Sequence, residues 1–299
     1  MAVAWLTGCN TQSYRKPVAC SDPFPLRRPL LHSTLVARQR LGQHFLTDPG
    51  WRQKIARAIG LGTSLSQTPW LEIGAGRGEF TRLLLATNAR VFAVELDASL
   101  ASRLEALRGT HANLSVIQGD FLKLELAEIL PPGPVRVYGN LPYYITSPIL
   151  HRLFEFAGRL EVAHLVMQLE VAQRLAASPG SRSYGYLAVA AQYFTQPEIV
   201  LRVPPSAFRP QPKVTSALVS LRLPGQRAAL AIHHERRFFS FVKMAFAKKR
   251  KTLVNNLCSL AAPEEARAAL AGLGLRADIR AEQVSVAQLA SLFSSLTRE

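Results

Sequence analysis

Cysteine is scarce in this chain, and long apolar runs are missing from it. Its three cysteines, Cys9, Cys20 and Cys258, stand far apart among 299 residues with no C-x-x-C pair. That spacing excludes a disulfide framework and a zinc cluster, so no metal is expected, and it suits a reducing compartment such as the cytoplasm. No apolar stretch approaches the ~20 residues a membrane helix needs, which excludes a spanning role. Acids are few as well: 20 Asp and Glu against 36 Lys and Arg leave a formal net charge of +16 and a pI near 10.5. Without a membrane segment, such a balance points to a polyanion as partner, nucleic acid first. What is plentiful is hydrophobic side chain, at 48% of residues. That is enough to bury a core, and the length fits one large domain with a smaller one.

Residues 1–37 hold a single acid, Asp22, against Arg15, Lys16, Arg27 and Arg28, and are rich in Pro, Ser and Thr. Such a segment packs poorly, so a disordered N-terminal extension is expected. Its basic, acid-poor character also matches an organellar transit peptide. A bacterial extension or an early start codon are the alternatives. The "LTGC" at Leu6 to Cys9 lacks the basic and apolar regions of a lipoprotein signal.

From Trp70 onward, apolar runs bounded by turns alternate with amphipathic segments, the pattern of βαβ units. Strands are expected at Trp70 to Ile73, Arg90 to Glu95, Leu114 to Gln118, Val135 to Tyr138 and Ala163 to Gln168. A hairpin-like pair follows near Ile199 to Val203 and Ser216 to Leu223. Helices are expected at Phe80 to Ala86, Ala98 to Leu107, Ser147 to Phe156 and Val171 to Ala176. Beyond Gln226 the strand signals stop, and helical patterns cover Glu235 to Leu257, Pro263 to Leu273 and Ser285 to Leu296. The reading is an α/β domain over residues 38–226 and a small all-helical domain over 227–299.

"WLEIGAGRGEFTRLLL" sets Gly74, Gly76 and Gly78 where a buried strand turns into a helix. Glycines there permit a tight turn and let a ligand lie against backbone N–H groups. The spacing is G-x-G-x-G and not the dinucleotide G-x-G-x-x-G. Glu95 ends the second strand about twenty residues on, where a carboxylate accepts from ribose hydroxyls; Asp97 is the second candidate. Asp120 ends the third strand, placed to accept from an adenine amine. Glu72, inside the first strand, is expected to organise the loop from below.

The fourth strand runs into "GNLPYYITSPIL". An adenine amine is a poor nucleophile because its lone pair is delocalised into the ring. Acceptors at the Asn140 side chain and the Leu141 carbonyl would draw its N–H bonds, freeing the lone pair and stabilising developing positive charge. Pro142 fixes φ and has no N–H to compete. Tyr143 offers a ring on which a flipped-out base can stack. Tyr144 reads as packing.

Taken in order, "RLGQHFLTD", "LEIGAGRGEFT", "VELD", "GDF", "GNLPYYITSPIL", "AFRPQPKVTSALV" and "AFAKKRKTLVNNL" resemble the KsgA-type ribosomal RNA adenine N6-dimethyltransferase family. The resemblance runs from about Arg38 to the C-terminus. It implies a class I methyltransferase (Rossmann-like) fold, S-adenosyl-L-methionine as methyl donor, and N6-dimethylation of two adjacent adenines near the 3′ end of small-subunit rRNA in the immature 30S subunit, by a monomer. It further implies donor contacts from Gln43, His44, Phe45 and Leu46, joining Gly74, Gly76, Glu95 and Asp120, with Asn140 to Tyr143 as the catalytic motif; Glu72 and Asn140 are counted with the donor site as well. Ala75 stands where the family often has proline, and "KKRKTL" replaces a more arginine-rich run.

For RNA, Phe208 and Lys213 in "FRPQPKVTS" are expected to form a stiff loop pinning the flipped base opposite Tyr143. Lys248, Lys249, Arg250 and Lys251 are expected as phosphate contacts along a helix whose Phe238, Phe241, Met244 and Phe246 form its buried face. The alternatives are a resistance-type methyltransferase of large-subunit rRNA, a DNA adenine methyltransferase, and a non-catalytic RNA-binding assembly factor on the same fold.

Overall fold

The structure, a computed structural model, describes residues 43–62 and 67–297. The disorder expected of residues 1–37 concerns a segment outside the described residues. The chain runs from β1 (Phe45–Leu46) into α1 (Pro49–Ala58), whose first turn is capped by Asp48 accepting from the Trp51 N–H at 2.9 Å. There follow β2 (Trp70–Ile73), α2 (Thr81–Leu85), β3 (Val91–Glu95), α3 (Ala98–Arg108), β4 (Leu114–Gln118), α4 (Leu126–Ile129), β5 (Val135–Asn140) and α5 (Thr146–Glu155). Next come β6 (Leu160–Gln168), α6 (Leu169–Leu175), α7 (Tyr186–Phe194), β7 (Gln196–Val203), β8 (Phe208–Arg209) and β9 (Ser216–Arg222). Five helices complete the order: α8 (Arg227–Leu230), α9 (Glu235–Ala245), α10 (Leu253–Asn256), α11 (Pro263–Gly272) and α12 (Val286–Thr297).

Seven strands form one sheet in the order β4-β3-β2-β5-β6-β9-β7, and β1 pairs with β8 apart from it. The strands from β4 to β6 are parallel, while β9 runs antiparallel to both its neighbours. Both faces are covered, as the strand residues show by alternating between two cores: Trp70 packs on one side, Leu71 and Ile73 on the other. The same holds for Val91 and Ala93 against Phe92 and Val94. Strand order reverses between β2 and β5, so the loops leaving these neighbours diverge and open a crevice at their carboxyl ends.

The C-terminal helices join the sheet domain through aromatic rings. Phe239 of α9 meets Tyr193 and Phe194 of α7 at 5.2 and 5.5 Å, and Phe238 reaches Phe293 of α12 at 5.6 Å. Helix α7 escapes the periodicity reading because "YLAVAAQYF" is apolar nearly all round, so no polar face marks its phase. The single helix expected over Glu235 to Leu257 is two helices with a turn between them. The run Lys248 to Lys251 would stack like charges on one helix. Asn256 closes the break, its Nδ2 donating to the Ala245 carbonyl at 2.7 Å and the Lys248 carbonyl at 3.2 Å. Phe246 consequently falls outside α9 and is only half-buried.

Candidate active site

The carboxyl ends of β2, β3, β4 and β5 surround one pocket, and the segment before β1 lies against it. Gly74 and Gly76 leave β2 with φ of 69° and 58°. The space over Gly74 is open, whereas a Cβ on Gly76 would lie 3.2 Å from the Phe45 ring. A side chain at either would hold left-handed backbone at a cost of about 1–2 kcal/mol.

Glu95, buried at the end of β3, ties the loop down. Its Oε2 accepts from the Gly76 N–H at 2.7 Å and its Oε1 from the Asp97 N–H at 2.9 Å. A carboxylate has about four lone-pair sites, so capacity remains for hydroxyls in the pocket. Asp97 instead caps α3, its Oδ1 accepting from the Ser99 and Leu100 N–H groups. Asp120 follows β4 and is set by the Leu122 N–H donating to Oδ1 at 3.0 Å.

Asn140 is oriented by its neighbour's chemistry. Its Nδ2 donates to the His44 carbonyl at 2.8 Å. A carbonyl only accepts, so the amide nitrogen must face His44, and Oδ1 is the atom left for the pocket. The Leu141 N–H donates to the Val166 carbonyl at 2.9 Å, fixing the following peptide against β6. Tyr143 is held from two sides: its hydroxyl pairs with Ser216 Oγ at 2.7 Å, and its ring leans on His44, centroids 5.3 Å apart. Burial raises the Tyr143 phenol above its usual value, against the opposing Ser216 bond, so it remains a neutral ring. His44 in turn donates through Nδ1 to the Pro210 carbonyl at 2.7 Å.

A family model described as ribosomal RNA adenine dimethylase matches residues 35–298. The chain belongs to the ribosomal RNA adenine dimethylase family. Within its length it is 38% identical to ribosomal RNA small subunit methyltransferase A of Koribacter versatilis, over 87% of this chain and 95% of that one. It is 40% identical to the protein of the same name from Chlorobium luteolum, over 88% and 90%. Among solved structures, a dimethyladenosine transferase from Plasmodium falciparum matches with TM-score 0.70 and 26% identity, over 83% of this chain and 96% of that one. The 23S rRNA methyltransferase ErmE matches with TM-score 0.63 and 32% identity, over 85% and 99%.

In this dimethylase the pocket gathers Gln43, His44, Gly74, Gly76, Glu95, Asp120 and Asn140 to Tyr143, as read from the motifs. Three expected contacts fall elsewhere. Leu46 is buried in the core, because successive residues of β1 face opposite ways and Phe45 takes the pocket side. Glu72 is buried in β2 and accepts from the Thr81 hydroxyl at 2.6 Å, bracing the start of α2 without lining the pocket. Burial pushes its carboxyl up to about 8, against the Thr81 bond and with smaller contributions from Glu95 and Glu79. Phe208 is fully buried beside β1 and presents no face to a base; Lys213, in the loop beyond it, is exposed. Lys248, Lys249, Arg250 and Lys251 are exposed on the turn between α9 and α10.

Two exposed residues that the sequence reading gave no role at the site also line the pocket. Tyr144 is 54% exposed and stands in the pocket wall instead of packing. Leu96, 50% exposed, lines the pocket directly after Glu95. An apolar residue between a strand-end acid and a helix cap was its available signal.

Proposed function

We propose that this chain dimethylates N6 of two adjacent adenines near the 3′ end of small-subunit rRNA, with S-adenosyl-L-methionine as methyl donor. We assign donor binding and transfer to residues 38–226 and RNA binding to residues 227–299, in a monomer acting on the immature 30S subunit in the cytoplasm. An organellar site would follow if residues 1–37 served as a transit peptide.

The pocket suits an adenosine-bearing donor. Gly74 leaves open space above the backbone, Glu95 has lone pairs to spare for ribose hydroxyls, Leu96 exposes an apolar surface, and Asp120 offers acceptors for an exocyclic amine. When bound, the donor supplies a methyl group on a sulfonium.

The observation that carries the reading is the polarity of Asn140. With Nδ2 committed to His44, Oδ1 faces the pocket as an acceptor. Together with the Leu141 carbonyl it would take the amine's N–H bonds, turning the lone pair toward the methyl group and stabilising positive charge on nitrogen. The Tyr143 ring gives the base a stacking face worth ~1–3 kcal/mol. Positioning supplies much of the rest, since an in-line transfer needs both reactants held at contact distance. No strong base is required, because the methylated amine releases its proton to solvent.

Asn140→Ala tests this. The expected result is a fall in kcat of about a hundredfold or more, with donor Kd changed by less than the roughly tenfold that one hydrogen bond sets. A large loss of donor affinity with kcat retained would move Asn140 out of catalysis. The large-subunit reading shares the whole pocket. It is disfavoured by the 38–40% identity to small-subunit enzymes against 32% to ErmE.

A further inference from the structure

A second cavity shares helix α5 with the methyl-transfer pocket. Ile145 and Ile149 line the first pocket, while Ser147 and His151 line the second. These pairs lie about half a turn apart around the helix axis. The second cavity holds about 310 Å³, the size of a small-ligand site.

Its lining combines three unmatched polar atoms with a cationic rim. The Tyr184 and Tyr186 hydroxyls and Asn256 Oδ1 are buried with no partner among the described residues. Tyr184 is only 4% exposed and Asn256 8%. Asn256 cannot turn to relieve its oxygen, because its nitrogen holds the Ala245 and Lys248 carbonyls. A polar atom left dry is costly, so three in the lining of one cavity are groups that await partners. Around them stand Arg174, Lys248, Lys249 and Lys251, with Lys243 Nζ 5.6 Å from the centre of the Tyr186 ring. Glu282 is the acid in this lining and lies 3.9 Å from Arg280.

The cations fit a phosphate, but an amide oxygen finds no donor on a phosphodiester. A base edge or a ribose 2′-hydroxyl does carry one. We propose that this cavity receives one nucleotide of the substrate RNA other than the adenine being methylated. Its phosphate meets Arg174 and the lysines, and its sugar or base edge meets Asn256 and the two tyrosine hydroxyls. The assignment rests on RNA being the substrate.

The test is a Tyr184→Phe/Tyr186→Phe double variant of the full chain, which removes two hydroxyls and keeps both rings. Binding is measured by fluorescence anisotropy with a labelled RNA fragment from the 3′ end of small-subunit rRNA, across a salt series, beside methyl transfer to the same RNA. The expected result is a Kd raised roughly tenfold with an unchanged salt slope and an unlowered Tm, the loss appearing in KM for RNA and not in kcat. Wild-type affinity in the double variant overturns the proposal and leaves the cations as a surface phosphate grip. So does a weaker affinity that merely follows a lowered Tm. Because binding is scored apart from turnover, a wild-type chain that binds this RNA but transfers no methyl refutes the enzymatic reading while the pocket is still decided by the variant's Kd.

Discussion

Asn140 faces two ways at once: its nitrogen holds the His44 carbonyl just before β1, and its oxygen is the atom left for the pocket. The motif announces the residue, but only the His44 carbonyl reveals which end of the amide is free. Glu72 is the opposite case, a carboxyl in a motif that never reaches the pocket. Its folded-state value near 8 stands above the ordinary 4.5, burial being the main cause. Folding thus favours the protonated acid, and this contribution to stability is complete below pH 4.5 and lost as pH rises toward 8. The slope in that window is about 1.4 kcal/mol per pH unit. Glu72→Gln, neutral throughout, should lose less stability than wild type between pH 5.5 and 8.5, measured by urea midpoints. Equal pH dependence in both proteins would place the proton elsewhere.

Among the elements, β2 to β5 were legible because each is a largely apolar run that meets a glycine or an acid at its end, and their carboxyl ends carried the pocket with them. The small β1–β8 pair was not. Two residues on each strand hold too little pattern, and their partners stand far apart in sequence. Yet this pair decides how the pocket is covered, since Thr47 and Asp48 N–H groups donate to the Ala207 carbonyl at 3.0 and 3.2 Å while Arg52 holds the Leu46 and Thr47 carbonyls. It also explains the misplaced Phe208, whose ring is buried by the pairing that brings the following loop to His44. The turn between α9 and α10 hides in the sequence because basic residues continue an amphipathic pattern without interrupting it. As the four cations are exposed, converting Lys248, Lys249, Arg250 and Lys251 to Ala should leave Tm within a few degrees. RNA binding should weaken, and its log–log salt slope should flatten by about 0.7–0.9 for each phosphate no longer neutralised. An unaltered slope would show a merely solvated turn.

Over the whole molecule, a net charge of +16 goes with a sheet that opens a pocket at its switch point and a helical segment that exposes four cations on one turn. The charge, the strand positions and the family motifs were readable from the chain, because each depends on local composition or spacing. The aromatic junction of α7 with α9 and the second cavity beside α5 were not. They arise where segments distant in sequence meet. The most direct measurement is methyl transfer from labelled S-adenosyl-L-methionine to under-methylated small and large ribosomal subunits in parallel, followed by digestion of the RNA to nucleosides. The account predicts N6,N6-dimethyladenosine from the small subunit alone. Label confined to the large subunit, or absent from both, would contradict it.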